Sequence, residues 1–186
     1  MDVSIKISAR HVHLTKEAIE LLFGHDLTVR NMLNQVGQFA TEETVSIVTD
    51  KGRFDNVRII GPARGYNQVE VSKTDARKLG INPMPAKSGN LQEAEYITIL
   101  TEKGSISGNF AIIADRHVHF SLEDAEKFGV QDDEVLKLEI GGKKKGVIDV
   151  FAKVSKDGFF EAHLDTDDAN AFLINSGDIC KLTKTK

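Results

Sequence analysis

The chain has 186 residues with 24 Lys and Arg against 28 Asp and Glu, a formal net charge of −4. That length buries a sizeable core without staples, and the charge balance argues against nucleic acid as a partner. The single cysteine, Cys180, excludes an internal disulfide and suits a reducing compartment, so a cytoplasmic location is expected, with no apolar run near the ~20 residues of a membrane helix.

The first element, Val3-Ser4-Ile5-Lys6-Ile7, alternates apolar and polar residues and reads as a strand. If that strand runs straight, its odd parity carries His11 and His13 onto the face of Val3, Ile5 and Ile7. Arg10-His11-Val12-His13-Leu14-Thr15 then opens a helix, with Thr15 as N-cap and Gly24 as the stop. His25, in the following FGHD, reads as exposed loop. ETVSIVTDKGRFDNVRIIG reads as strand, tight turn and strand, with Lys51 and Arg58 flanking the turn. Gly61-Pro62-Ala63-Arg64-Gly65 follows, where an arginine among glycines can present its planar fork to phosphate oxygens. QVEVSKTDARKLG is a strand feeding a short helix, and NPMPAKSGNLQEAE, with its proline and glycine punctuation, is a loop.

The pattern then starts again. Arg116-His117-Val118-His119-Phe120-Ser121 repeats the first motif, with Ser121 as N-cap and Gly129 as the stop. DEVLKLEIGGKKKGVIDVFAKV repeats the hairpin, with its lysines at a solvated tip, and EAHLDTDDANAFL repeats the strand and helix. Aligning Asp75-Ala76 with Asp168-Ala169 sets Glu70 opposite His163. Cys180, in DICKL, reads as a small apolar strand residue. Many strands separated by tight turns favour a mainly β fold of two pseudo-symmetric barrels capped by short helices.

His-x-His on a strand points two imidazoles the same way, and zinc accepts imidazole nitrogen and carboxylate oxygen. A single pair is more often structural. Here five of the six histidines fall into two repeated units, His11 and His13 with Glu70, and His117 and His119 with His163. Three protein ligands leave a position for water or substrate, the pattern of a catalytic zinc. Walker, dinucleotide and serine-hydrolase motifs are lacking.

In order, SARHVHLT, GPAR-x3-QVEVS-x-TDAR-x-LGI, the SGNL segment, the second RHVH and EAHLDTDDANA resemble the PduL-type phosphate propanoyltransferases, over about Ile5 to Ala171. The resemblance implies a zinc-dependent phosphotransacylase that interconverts acyl-CoA plus phosphate with acyl phosphate plus CoA. It implies two β-barrels, one formed by residues 1–9 with 115–186 and the other by residues 10–114. It implies one zinc on His11, His13 and Glu70, a second on His117, His119 and His163, and phosphate on Arg64. Ile7, Ser8, Ala9, Lys51, Arg58 and Asn170 fall at its coenzyme A positions. This chain departs from the family pattern in having LTEKGSISGN where a Gly-Pro pair is usual, and a PMPAKSG one residue shorter than usual. The N-terminal extension of microcompartment members is not seen, so a free cytosolic role with a propanoyl or acetyl substrate stands level with an organelle role, and a homodimer is one expected assembly. Two other readings share these residues: a di-zinc thioester hydrolase, and a cupin-like metal or ligand-binding module in which Glu17 completes H-x-H-x3-E.

Overall fold

The computed structural model describes residues 1–185. In chain order the elements are β1 (Asp2–Ser8), β2 (His11–His13), α1 (Lys16–Phe23), β3 (Val29–Met32), β4 (Phe39–Val48), β5 (Arg53–Gly61), β6 (Gln68–Glu70), α2 (Lys73–Leu79) and β7 (Pro85–Ala86). They continue as β8 (Glu95–Leu100), β9 (Ser105–Ala114), β10 (His117–Phe120), α3 (Leu122–Phe128), β11 (Val135–Ile140), β12 (Gly146–Val154), β13 (Glu161–Asp165), α4 (Thr166–Phe172) and β14 (Ile179–Lys184). The fold is mainly β with four short helices, and no described helix is long and apolar enough to cross a membrane.

The chain divides into two compact units, one made of Met1–Ala9 with the chain from Asp115 onward, the other of Arg10–Ala114. In the first, β1, β13, β10, β12, β11 and β14 close a six-stranded barrel. In the second, β4, β5, β2, β6, β9 and β8 pair in succession, and β8 returns to β4 to close a ring of the same size. The two rings match strand for strand in direction. β2 lies parallel to β5 and antiparallel to β6, as β10 does to β12 and β13, while β9 lies parallel to β6 and antiparallel to β8, as β1 does to β13 and β14.

This correspondence corrects one expectation. β1 does not run on into β2: the strand breaks at Ala9 and Arg10, and β1 pairs in one ring while β2 pairs in the other. The odd-parity argument therefore fails. Val12 and Leu14 enter the core of the second unit, which turns His11 and His13 to the opposite face of their sheet. The same break separates β9 from β10 at Asp115 and Arg116. Each strand that precedes an HVH motif is thus built into the other unit. The loop reading of residues 82–95 also needs amendment, since Pro85–Ala86 forms the two-residue β7 alongside β9.

Strand alternation explains both cores. Leu136, Leu138 and Ile140 from β11 share one core cluster with Val118 and Phe120 from β10, and Ile97 and Ile99 from β8 share the other with Ile47 and Ile59. Phe120 is fully buried, with its ring 5.1 Å from that of Phe160 and 6.5 Å from that of Phe128. Phe120→Ala removes this aromatic anchor and is expected to lower unfolding free energy by about 3–5 kcal/mol, checked by denaturant titration.

The helices start where the caps require. Thr15, Ser72, Ser121 and Asp165 each accept a hydrogen bond from the backbone N–H three residues on. Gly24, Gly80 and Gly129 close three helices in the left-handed conformation that glycine adopts freely, and Leu173 takes the same role after α4.

Candidate metal centres

Two short strand pairs carry the candidate residues. β2 and β6 run antiparallel with His11 opposite Glu70 and His13 opposite Gln68; β10 and β13 repeat this with His117 opposite His163 and His119 opposite Glu161. Because Val12 and Val69, or Val118 and Ala162, point into the core, the residues on either side of them project from the other face of the sheet. Directly opposed pairs and their diagonal neighbours lie close enough to converge on one point.

They do converge. His11, His13 and Glu70 each offer a ligand atom, and these atoms lie within 4.8 Å of one another; the same holds for His117, His119 and His163. In the first triad His11 Nε2 is 3.4 Å from Glu70 Oε2 and His13 Nε2 is 3.7 Å from Glu70 Oε1. In the second, the Nε2 atoms of His117 and His119 are 3.1 Å apart. Two ligands bound tetrahedrally to zinc at about 2.0–2.1 Å stand roughly 3.3–3.4 Å from each other, so the spacing suits such an ion.

Tautomers agree with that spacing. His13 Nδ1 lies 3.0 Å from the carbonyl oxygen of Ile60, which can only accept, so Nδ1 carries the hydrogen and Nε2 keeps its lone pair for the cluster. His117 is fixed likewise by the carbonyl of Asp115 at 2.7 Å. Burial is the main cause lowering the pKa of His13, partly opposed by its hydrogen bond to Glu70, and it favours the neutral imidazole that a metal requires. Donor chemistry and spacing together fit divalent zinc at both triads.

Supporting residues are also duplicated. Arg10, which precedes β2, reaches Asp75 in the first turn of α2 at 3.0 Å and lies over the Phe54 ring at 4.1 Å. Arg116, which precedes β10, holds Asp168 of α4 through two hydrogen bonds of 2.8 and 2.7 Å. Each arginine ties the root of a histidine strand to the helix that follows the facing strand, and the bidentate bond raises the pKa of Arg116.

Arg64 lies between β5 and β6. Its backbone N–H donates to Leu14 at 2.8 Å, and its guanidinium donates to the Tyr66 hydroxyl at 3.1 Å. Arg58 sits opposite His11 in the β2–β5 ladder, where its guanidinium donates to the carbonyls of Thr41 and Glu42 beside a register shift in β4. Lys51 lies at the exposed β4–β5 turn. In the other unit Ile7 and Ser8 end β1 alongside Leu164 and Asp165, Ala9 is exposed beyond that strand, and Asn170 is exposed on α4. Glu17, the third ligand of the cupin-like alternative, is exposed in the first turn of α1 and does not belong to the triad. His25 is exposed, and Cys180 is buried in β14 with its thiol pKa raised by that burial.

Sequence reasoning missed two residues. Gln68 is fully buried; its amide N–H groups donate to Glu70 at 2.7 Å and Ser88 at 2.9 Å, and its oxygen accepts from the Gly89 N–H at 2.7 Å. It fixes the Glu70 carboxylate. Glu161 is buried, and its carboxylate lies 3.1 Å from His163 Nε2. The signal for both was period two: each precedes a proposed ligand by two residues on a strand.

The family model for phosphate propanoyltransferase matches residues 4–175. The chain belongs to the phosphate propanoyltransferase family. Relatives carrying that name support the match across nearly the whole chain. The protein of Thermotoga maritima is 42% identical over 182 residues, covering 95% of this chain and 87% of the relative. That of Shewanella putrefaciens is 42% identical over 189 residues, covering 99% and 90%, and that of Priestia megaterium is 44% identical over 180 residues, covering 95% and 83%.

Proposed function

We propose that this phosphate propanoyltransferase family member transfers a short acyl group, propanoyl or acetyl, between coenzyme A and inorganic phosphate, with a zinc ion on each triad. The observation that carries the reading is the recurrence of one ligand-bearing strand pair at equivalent places in two barrels, within a chain of this family.

His11, His13 and Glu70 would hold one ion, and His117, His119 and His163 the other. When bound, the ions supply positive charge that polarises the acyl oxygen and steadies the leaving sulfur. Arg64 holds phosphate by its guanidinium fork, offsets its charge and keeps one oxygen facing the thioester. That oxygen bonds to the thioester carbonyl carbon, the C–S bond breaks, and coenzyme A departs as a thiolate that then takes up a proton. No side chain need form an acyl intermediate, in keeping with the buried, burial-raised thiol of Cys180. Lys51, Arg58, Ile7, Ser8, Ala9 and Asn170 are the proposed coenzyme A contacts.

The test is release of free thiol from acetyl-CoA and propanoyl-CoA, with and without phosphate, before and after treatment with a chelator. Phosphate-dependent, chelator-sensitive release is expected, and its rates rank the two acyl groups. Equal release without phosphate would assign the protein to thioester hydrolysis instead.

A further inference from the structure

The two clusters share a template of four side chains, two from the histidine strand and two from the strand facing it. In one unit the corners are His11, His13, Glu70 and Gln68; in the other they are His117, His119, His163 and Glu161. Each set contains one carboxylate, but at a different corner. Glu70 stands opposite the first histidine of its motif, whereas Glu161 stands opposite the second. The carboxylate and the neutral member of the facing strand have traded places.

The second corner also takes a neutral side chain. Gln68 occupies the equivalent corner as a fully buried amide with its hydrogen-bonding groups engaged. Glu161 is 6% exposed, so a divalent ion held by the neighbouring histidines would act on its charge with little screening by solvent. Its oxygen lies 3.1 Å from His163 Nε2, beside the point where the three imidazoles converge.

We propose that Glu161 is the charge-balancing carboxylate of the three-histidine cluster, the counterpart of Glu70 displaced by one pair along the strand ladder. Its carboxylate, beside His163 Nε2, would offset one charge of a divalent ion, so that both clusters, once loaded, carry the same net charge. The assignment rests on the reading that this cluster binds a metal.

The experiment is chelator competition with direct metal analysis on the full chain, comparing wild type with Glu161→Gln. Wild type should hold two zinc ions, and the variant should hold one as wild type does and the other about 10–100-fold more weakly. Thermal melting of both metal-free proteins supplies a second readout: the variant should melt no lower than wild type, while the rise in melting temperature on adding zinc should shrink. Two ions held with unchanged affinity would overturn the assignment. So would a metal-free variant that melts below wild type with an undiminished zinc-induced rise, since that would make Glu161 a residue of the fold. A wild-type chain that binds no zinc at all would overturn both this assignment and the function beneath it.

Discussion

If each triad holds a zinc ion as proposed, His163→Ala is expected to leave one ion per chain in place of two and to lower turnover by more than about 100-fold. The estimate follows from a metal contribution of several kcal/mol to the reacting charges, with each 1.36 kcal/mol worth a factor of ten. The fold should survive. His163 projects from β13 on the face away from the core, its side chain is about one-fifth exposed, and its neighbours Ala162 and Leu164 make the core contacts. Metal analysis together with circular dichroism checks the prediction. Full retention of both ions would remove His163 from the ligand set.

Arg64→Ala tests the other half of the mechanism, because it should separate phosphate handling from metal binding. The variant should keep both ions and lose about 10–100-fold in kcat/KM for phosphate, corresponding to about 1.5–3 kcal/mol for hydrogen bonds to a charged group. The segment should hold its place, since the hydrogen bond to Leu14 comes from the backbone of residue 64 and not from its side chain. Arg64→Lys should restore only part of the loss, because an ammonium cannot reproduce the two-pronged grip of guanidinium. Steady-state kinetics with phosphate varied at saturating acyl-CoA is the measurement, and unchanged phosphate kinetics would exclude Arg64 from the site.

Much of the architecture was readable because the chain states it twice. The capping residues Thr15 and Ser121, the stops Gly24 and Gly129, and both hairpins declare themselves through local chemistry, and the structure places them where that chemistry predicts. Of the six residues gathered into two triads, the four motif histidines were legible as a repeated HVH, and Glu70 and His163 through the alignment of Asp75-Ala76 with Asp168-Ala169. What stayed hidden depends on distant pairing. The alternation of Val3-Ser4-Ile5 does not by itself show that β1 joins strands more than 150 residues away, which only the family resemblance implied, and parity was carried across a break between two sheets. β3 has all four residues exposed and β7 has two residues, and neither leaves an alternating trace. Gln68 and Glu161 escaped because the search for ligands stopped at the third member of each triad, while their significance appears only in the register opposite His13 and His119.

The exchange of leading strands sets an order of assembly during synthesis. All six strands of the ring within Arg10–Ala114 are available once β9 has left the ribosome, whereas the other ring has its first strand from the outset and lacks its last until β14 is made. β1, with Val3 and Ile5 destined for the core, therefore has neither of its native partner strands until β13 and β14 are made. One barrel has all its strands before β10 is made, and the other only after β14.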